Sequence, residues 1–264
     1  MKRSTCMGLA LACALAFTAP IAQSLAQGML AGVDLSSPAF TTAELSRANV
    51  EAMIAKSAGV PLDLSDKSLN GLDLSKLNLA GVNLRGARLN RAKFAGANLS
   101  GGQLDQVWAL MADFTGANLS GAKLFGSQMQ GAKLDRADFS HARLAGDFTG
   151  ASMVEANLSD SNASADMKNQ SMGLMRAILR SADLTRANFT HANLSRVDLA
   201  FANLTDANFS GADLSRADAA GADFRGATLT GAQVERMDIA SARINAAQAA
   251  LLGAALNLDR AVKD

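Results

Sequence analysis

The sequence predicts a fold of stacked repeats, in which short units wind on top of one another. From Leu64 to Leu144, Leu, Phe or Met occupies every fifth position except Ala109. A small residue, most often Ala, stands two places before most of these positions. Of the 264 residues, 49% are hydrophobic but only 5% are aromatic, which suits a thin, regular core. Neither a helix nor a flat strand repeats every five residues, so each unit is expected to bury its apolar face against its neighbours.

The first 26 residues resemble a secretory signal peptide. Lys2 and Arg3 precede an apolar run over residues 6–19, and Ser24 and Ala26 are the small residues that a signal peptidase reads. Cleavage is therefore expected after Ala26, which predicts a periplasmic or secreted protein without a permanent membrane span. A retained membrane anchor is the alternative, although the run is shorter than the roughly 20 residues that a spanning helix needs.

Both cysteines lie in this first segment. A mature chain beginning at Gln27 would keep neither Cys6 nor Cys13, so disulfides and thiolate metal sites are not expected in it. Acylation of Cys13 as a lipoprotein is a further alternative. The preceding residues match a lipoprotein signal poorly, and the apolar run continues past Cys13.

Residues 27–61 do not follow the five-residue rule and are interpreted as an N-terminal helical cap. Thr42 is a candidate N-cap for a short amphipathic helix, which Gly59 and Pro61 would end. Such a helix would close the open end of the repeats.

The repeat domain is expected to span residues 62–246. One residue is missing near Gly146, and the register is lost again between Ser159 and Gly173, so residues 145–173 are predicted to be irregular. The register resumes at Leu174 and runs to Ile244. Residues 247–264, rich in Ala and Leu, are expected to form a C-terminal helix.

The repeated units "ANLSG", "ADFTG", "ANFSG" and "ADLSR" resemble the A-(D/N)-L-X-X unit of the pentapeptide-repeat family. The resemblance covers residues 62–246. It implies an all-β fold, a right-handed quadrilateral β-helix (β-solenoid) with short N- and C-terminal capping helices. Each pentapeptide would form one side of a square coil, with the central Leu or Phe and the preceding small residue pointing inward.

Two charged series support four sides for each coil. In a square coil, residues twenty apart lie directly above one another. Arginines recur at this spacing, and so do three aspartates, whereas a coil of three or five sides would scatter both series. The arginines are Arg176, Arg196, Arg216 and Arg236, and the aspartates are Asp198, Asp218 and Asp238.

The arginine series has two interpretations. Each of the last three arginines stands two residues before an aspartate, so Arg-x-Asp pairs would form neighbouring columns of opposite sign. Surface ion pairs of this kind contribute about 0–1 kcal/mol each. The other interpretation is an anion-binding stripe made of Arg176, Arg196, Arg216 and Arg236, for phosphate groups or an acidic partner.

A second candidate site is apolar where the repeat is normally polar. Trp108, Leu110 and Met111 flank the central Ala109, and Phe125 follows on a neighbouring side. Contiguous exposed apolar side chains often mark a contact site, which favours protein binding here. Two alternatives are an isolated exposed patch and a local inversion, in which Trp108 turns inward to fill the space beside Ala109. Arg88, one coil below Trp108, is placed to stack on the indole in a cation–π contact.

No enzyme chemistry is predicted. His141 and His191 are the only histidines, and both occupy outward corners. No nucleophile with a base, metal-ligand cluster or phosphate loop is found, so no catalytic residue, metal or cofactor is expected. The irregular stretch 159–173 is interpreted either as a binding loop or as a tolerated insertion.

The family resemblance also brings an activity to consider, since some pentapeptide-repeat proteins mimic DNA and bind type II topoisomerases. Residues 62–246 contain nineteen acidic and nineteen basic residues, so this chain lacks the negative surface of a DNA mimic. The near-zero balance also gives no reason to expect nucleic-acid binding. The expected function is an exported scaffold for a protein partner. An alternative is a structural or self-assembling envelope element, with homodimerisation through the C-terminal helix.

Overall fold

The computed structural model describes residues 33–167 and 175–263. The chain divides into two units, Met1–Leu35 and Ser36–Asp264, and the second contains the repeats. The predicted signal peptide, with both cysteines, lies outside the described residues. No helix among the described residues is long and apolar enough to cross a membrane.

Residues 62–246 wind into a four-sided coil whose sides pair in parallel with the coil above. Asp183 pairs with Asn203, and Asn203 with Asp223, twenty residues further on each time. Between these coils the N–H of Leu204 donates to the carbonyl of Asp223 at 2.8 Å. Each side contributes a single paired position before the chain turns, so most sides form isolated bridges instead of longer strands. The predicted twenty-residue coil is therefore confirmed.

The lumen is filled by the residues that the repeat predicts. Leu184 and Leu204 are fully buried on consecutive coils, and Phe189 stacks on Phe209 with ring centroids 4.8 Å apart and nearly parallel planes. This distance is the spacing between neighbouring strands, so each side chain packs on its equivalent in the next coil. Alanines beside them are buried too, including Ala187. Burial of this apolar column holds the coils together.

Most corners are tight turns that end on a residue in the left-handed region. Met111 has φ of 55° and Arg216 has φ of 60°, although most non-glycine residues avoid this region. The turn aims the side chain away from the coil. These corners carry several of the candidate site residues.

Two short helices lie at the N-terminal end of the coil. Helix α1 spans Pro38–Thr41 and helix α2 spans Arg47–Lys56. The predicted N-cap, Thr42, is wrong: it ends α1, and Ser46 caps α2 in a capping box with Asn49. Asn49 supplies the reciprocal side-chain bond that a box needs at the third helical position. On the inner face of α2, Val50 is fully buried against the first coil.

The irregular region is confined to one corner of the coil, which the chain crosses at Gly146 as predicted. Strands β1 (Lys123–Gln128) and β2 (Arg143–Asp147) run through this corner on consecutive coils and pair in parallel with a register shift. Gly146 crosses Ser127 so closely that an added Cβ would lie 2.1 Å from the Ser127 hydroxyl. The missing residue thus replaces a corner turn by a straight, tightly packed crossing.

The coil continues to Ala163, although the register was predicted to end at Ser159. Asn162 still pairs with Arg143 below and Asn193 above, while Ser161 and Ala163 fill inward positions and are buried. Because both inward positions hold small side chains here, without the usual central Leu or Phe, the sequence does not show the repeat. Across the insertion that follows Ala163, residues that pair between successive coils are 31 apart in the sequence instead of 20. Eleven extra residues are therefore inserted at the same corner. Part of this insertion, residues 168–174, lies outside the described residues.

The C-terminal segment is only partly helical. Helix α3 spans Ala246–Leu251, and a 3₁₀ helix (Leu258–Arg260) precedes strand β4 (Val262–Lys263), which pairs with β3 (Arg243–Ile244). The prediction of a helix over residues 247–264 is therefore wrong beyond Leu251. Past this point the backbone pairs with the coil below, as when the N–H of Val262 donates to the carbonyl of Ala242.

Helix α3 caps the last full coil through its polar and apolar side chains. The amide nitrogen of Gln248 donates to the carbonyls of Phe224 and Ala227, and both Gln248 and Leu252 are buried. The Phe224 carbonyl also accepts from the N–H of Ala227 within its own turn, whereas the Ala227 carbonyl has no coil above to bond. A side-chain amide thus replaces the missing backbone donor at this end.

Candidate functional site

Trp108 remains in the outward ladder but is partly covered by the chain's own N-terminal segment. It pairs with Arg88 below and Gln128 above. The Phe40 ring, in helix α1, meets the indole edge-on with centroids 5.3 Å apart. Ala109 itself is fully buried in the inward position, so the inversion of Trp108 into the lumen is wrong.

The rest of the predicted apolar patch divides between buried and exposed residues. Leu110 is only 6% exposed, so its assignment to an exposed patch is wrong. Its N–H donates to the Asn90 side chain directly below, within a buried corner column that includes Asn70 and Gln130. Phe125 is half-buried. Met111, 42% exposed at its turn, is the residue of this group that a partner reaches most readily.

Arg88 does not stack on Trp108 in this structure. Its guanidinium lies 3.5 Å from the Glu44 carboxylate. Glu44 follows α1, and its N–H donates to the carbonyl of Ser68. The segment that brings Phe40 to the indole therefore also supplies the partner for Arg88, and the cation–π prediction is wrong.

Asn70 holds this N-terminal segment in place. Its amide nitrogen donates to the carbonyls of Ala39 and Thr42, and its oxygen accepts from the backbone and side chain of Asn90. Asn70 is only 4% exposed, so losing these bonds would leave buried polar groups unpaired. A buried polar network thus anchors α1 across the side of the coil.

The predicted Arg-x-Asp pairs do not form. The carboxylate of Asp198 instead lies 2.9 Å from the guanidinium of Arg180 and 3.6 Å from that of Arg176. The guanidinium of Arg180 also lies 3.9 Å from the Asp218 carboxylate. Arg180 lies one coil below Asp198, beside the corner that Phe201 occupies in the next coil. Its side chain extends upward between the two carboxylates. Asp238 accepts a hydrogen bond from the Asn257 side chain.

The remaining three arginines of the series form a corner column. The N–H of Arg196 donates to Ser215 and that of Arg216 to Glu235, so their turns lie on consecutive coils. Within the two described stretches, the guanidinium groups of Arg196, Arg216 and Arg236 form no ion pair. Arg176 differs from them because it is bound to Asp198 and to the carbonyl of Arg196.

Phe201 is an exposed aromatic residue that sequence reasoning missed. It occupies a left-handed turn with φ of 60° and is 63% exposed. Its ring lies over Gly221, where an added Cβ would come within 2.6 Å, and the guanidinium of Arg180 lies 5.9 Å from the ring centroid. Ala200 and Ala220 continue the same corner. The signal in the sequence is a Phe at a corner position, two places after the central Leu199.

The insertion after Ala163 has an ordered base. Arg143 donates to the backbone and side chain of Asn162 and to the carbonyl of Ser164, while the N–H of Asp166 donates to Met175. Burial lowers the pKa of the Arg143 guanidinium, and the nearby Asp166 charge opposes this shift. Whether the insertion carries a binding site stays a prediction.

Among the described residues, no group of three or more His, Cys, Asp or Glu side chains is arranged to hold a metal ion. His141 and His191 both occupy left-handed corner turns, as their positions after a central Phe suggest. The site residues that stand out are therefore apolar and cationic groups at corners.

Comparison with known proteins gives the family. The family model for pentapeptide repeats matches in eight copies and covers more than half of the chain, at residues 64–107, 112–146, 174–200, 192–231 and 207–243. No curated protein sequence matches the chain.

Several solved structures are similar to the chain, among them the following three. HetL, a pentapeptide repeat protein involved in heterocyst differentiation regulation in Nostoc sp. strain PCC 7120, is 24% identical, with coverage of 75% of this chain and 96% of HetL and a TM-score of 0.27. QnrB1, a plasmid-mediated fluoroquinolone resistance protein, is 17% identical, with coverage of 70% and 95% and a TM-score of 0.39. A pentapeptide repeat protein of the Arabidopsis thaliana thylakoid lumen is 28% identical, with coverage of 48% and 68% and a TM-score of 0.26.

The family model matches the same register that the coil displays in three dimensions. The predicted fold class, a right-handed quadrilateral β-helix with capping helices, is confirmed. The chain belongs to the pentapeptide-repeat family.

Proposed function

We propose that this protein is an exported, non-enzymatic scaffold that binds a protein partner through the corners of a rigid solenoid. The observation that carries the proposal is Phe201, an aromatic side chain 63% exposed on a backbone ladder that is paired above and below. Exposing a large apolar ring to water is unfavourable unless something else covers it. A partner surface would provide that cover.

The Phe201 corner, defined as Phe201 with Ala200, Ala220, Gly221 and Arg180, has the features of a binding hot spot. Small residues around the ring leave a flat apolar platform, and Arg180 adds a planar cation beside it. Aromatic and Arg side chains dominate the binding energy of protein interfaces. Because the coil fixes the backbone, binding here would cost little conformational entropy.

The unpaired arginine column indicates the charge of the partner. Arg196, Arg216 and Arg236 stand at the corner next to that of Phe201, at the other end of the side that carries Asp198 and Asp218. An acidic segment of the partner would complement these guanidinium groups. Such contacts act mainly on the association rate and weaken as salt increases.

The Trp108 group is a weaker contact surface than the sequence suggested. Phe40 already covers part of the indole and Leu110 is buried, so Met111 supplies most of the open apolar area. A partner that used Trp108 would first have to displace α1. This requirement favours the Phe201 corner as the main contact.

Export is supported by the first 26 residues, where two basic residues, an apolar run and small residues before Gln27 follow the pattern of a signal peptide. Expression of the full chain in a bacterium tests it through the mature N-terminus and the cell fraction. A periplasmic product beginning at Gln27 is expected. A product that keeps Met1 in the cytoplasm would contradict export.

Site-specific photocrosslinking tests the contact surface. A photoreactive phenylalanine analogue is placed at 201, at Met111, or at Arg136, which also lies at a left-handed corner. Crosslinks to one partner from position 201, lost when Arg196 and Arg216 are changed to Glu, are expected. If position 136 captures the same species as efficiently as position 201, the assignment of the Phe201 corner is wrong.

Self-assembly is the second candidate function, and the C-terminal end favours it. Leu256 and Val262 are 45% and 47% exposed on the last turn, where β4 is an edge strand. Unpaired edges invite pairing with another chain. Val262→Lys keeps Gln248 and Leu252 as the cap, so it tests assembly without opening the core. A lower mass by light scattering would support assembly, whereas a monomer in both chains would exclude it.

A topoisomerase-binding DNA mimic is not favoured. The repeat domain contains equal numbers of acidic and basic residues, and the Asp198 carboxylate is already bound by Arg176 and Arg180. A DNA-like surface requires a dense negative charge that this chain lacks.

A further inference from the structure

The two histidines of the chain lie in one corner column, with an aspartate between them. The N–H of His141 donates to the carbonyl of Ser159 at 3.1 Å, and that of Asp160 donates to Thr190 at 2.9 Å. These bonds place His141, Asp160 and His191 on three successive coils. All three residues have φ between 55° and 59°, so the same turn geometry directs each side chain outward.

This alignment does not come from the repeat. The histidines are fifty positions apart (191 − 141), which is not a multiple of twenty. The missing residue makes the lower step 19 residues, and the insertion makes the upper step 31. The two irregularities together bring the histidines within two coils of each other.

The geometry allows the three side chains to meet. Successive coils are separated by about 4.8 Å, so the histidine Cα atoms lie about 10 Å apart with Asp160 halfway between them. The Nδ1 of His191 lies 3.8 Å from the Asp160 carboxylate, while the other edge of its ring faces Gly211. The His191 and Asp160 side chains are 68% and 46% exposed, so they can change rotamer without disturbing the core.

We propose that His141, Asp160 and His191 bind one divalent first-row transition metal ion, with Zn²⁺ as the test case. Two imidazole nitrogens and one carboxylate oxygen are a ligand set that Zn²⁺ uses, and water completes the tetrahedron. In their present rotamers these three described side chains do not form a group that could hold a metal ion, so binding requires them to rotate towards one another. Binding would close them around the ion and tie together the coils on either side of the irregular region. This site lies outside the proposed partner surface.

Zinc titration by calorimetry tests the proposal on the full chain without a polyhistidine tag. Cys6→Ser and Cys13→Ser remove the competing thiols. His141→Asn and His191→Asn remove the ligands while keeping a residue that tolerates the left-handed turn. Asp160→Asn removes the carboxylate, and Asp206→Asn, a matched turn aspartate with φ of 59°, is the control.

One zinc ion for each chain is expected, with a dissociation constant that rises at least about tenfold in either histidine variant, since loss of a group that merely orients a ligand costs that much. Asp160→Asn should weaken binding and Asp206→Asn should not. Equal affinity in the parent and in either histidine variant would overturn the site. In the parent, Zn²⁺ should also protect both histidines together from diethyl pyrocarbonate. Protection of neither, or of one alone, would overturn it without relying on any variant.

Discussion

Removing the Phe40 ring should release helix α1 from the side of the coil. Phe40 is half-buried, so its burial stabilises the docked helix by about 1 kcal/mol, half of the value for a fully buried Phe. The edge-on contact with Trp108 adds about 0.5–1.5 kcal/mol. Phe40→Ala should therefore shift docking by about 2 kcal/mol, or about thirtyfold in the ratio of docked to undocked α1.

The single tryptophan of the chain makes the assay specific. Trp108 supplies all of the indole fluorescence, so a change in emission reports this surface alone. In Phe40→Ala we expect emission at longer wavelength and stronger quenching by iodide, because the indole loses its cover. Phe201→Ala, which removes another surface Phe away from this contact, is the matched control and should leave both quantities unchanged. Emission and quenching identical in Phe40→Ala and the parent would refute the docking of α1.

Three further changes test the core, the crossing and the charges. Phe209→Ala should lower the free energy of unfolding by about 3–5 kcal/mol in urea melts, since the ring is fully buried between coils; a loss under about 1 kcal/mol would contradict its place in the lumen. Gly146→Ala should cost about 1–3 kcal/mol, and Ser127→Ala should restore only part of this, because the Ser127 carbonyl still lies 2.7 Å from the new Cβ. Hydrogen bonding from Arg225 lowers the pKa of Asp223, so its ionised form stabilises the fold above about pH 4 and this contribution is lost as pH falls through the lowered pKa. Asp223→Asn should therefore destabilise the protein more at pH 7 than at pH 2.5 in thermal melts, and an equal effect at both would rule out the ionic contribution.

The sequence predicted the coil because one short rule determines it. Leu204 and Phe209 obey the five-residue period, and the charged series at twenty-residue spacing fixed the number of sides. Burial of these residues follows from the period alone. No contact outside the repeat was needed for this part of the fold.

The parts that the sequence did not predict depend on segments outside the repeat or on shifts in its register. Phe40 covers Trp108 through a segment with no period, and that segment also supplies Glu44 to Arg88. The histidine column depends on the exact size of a deletion and an insertion. Phe201 follows the register, yet its exposure depends on the small residues of the next coil, such as Gly221.

The arginine series shows where periodicity stops being informative about contacts. The spacing predicts correctly that Arg196 and Arg216 lie above one another. It does not predict which carboxylate each guanidinium reaches, because Arg180, from another corner, already occupies Asp198. Long side chains can form ion pairs across a corner, so the spacing in the sequence alone does not determine which pairs form.

An engineered disulfide tests the four-sided coil most directly. In a chain with Cys6→Ser and Cys13→Ser, Arg196→Cys and Arg216→Cys would have Cα atoms about 4.8 Å apart, within the range that a disulfide spans. The matched pair Arg196→Cys and Asp206→Cys places the second thiol on the opposite corner. Oxidation should link the twenty-residue pair and leave the ten-residue pair as free thiols. A linked ten-residue pair with a free twenty-residue pair would contradict the square coil.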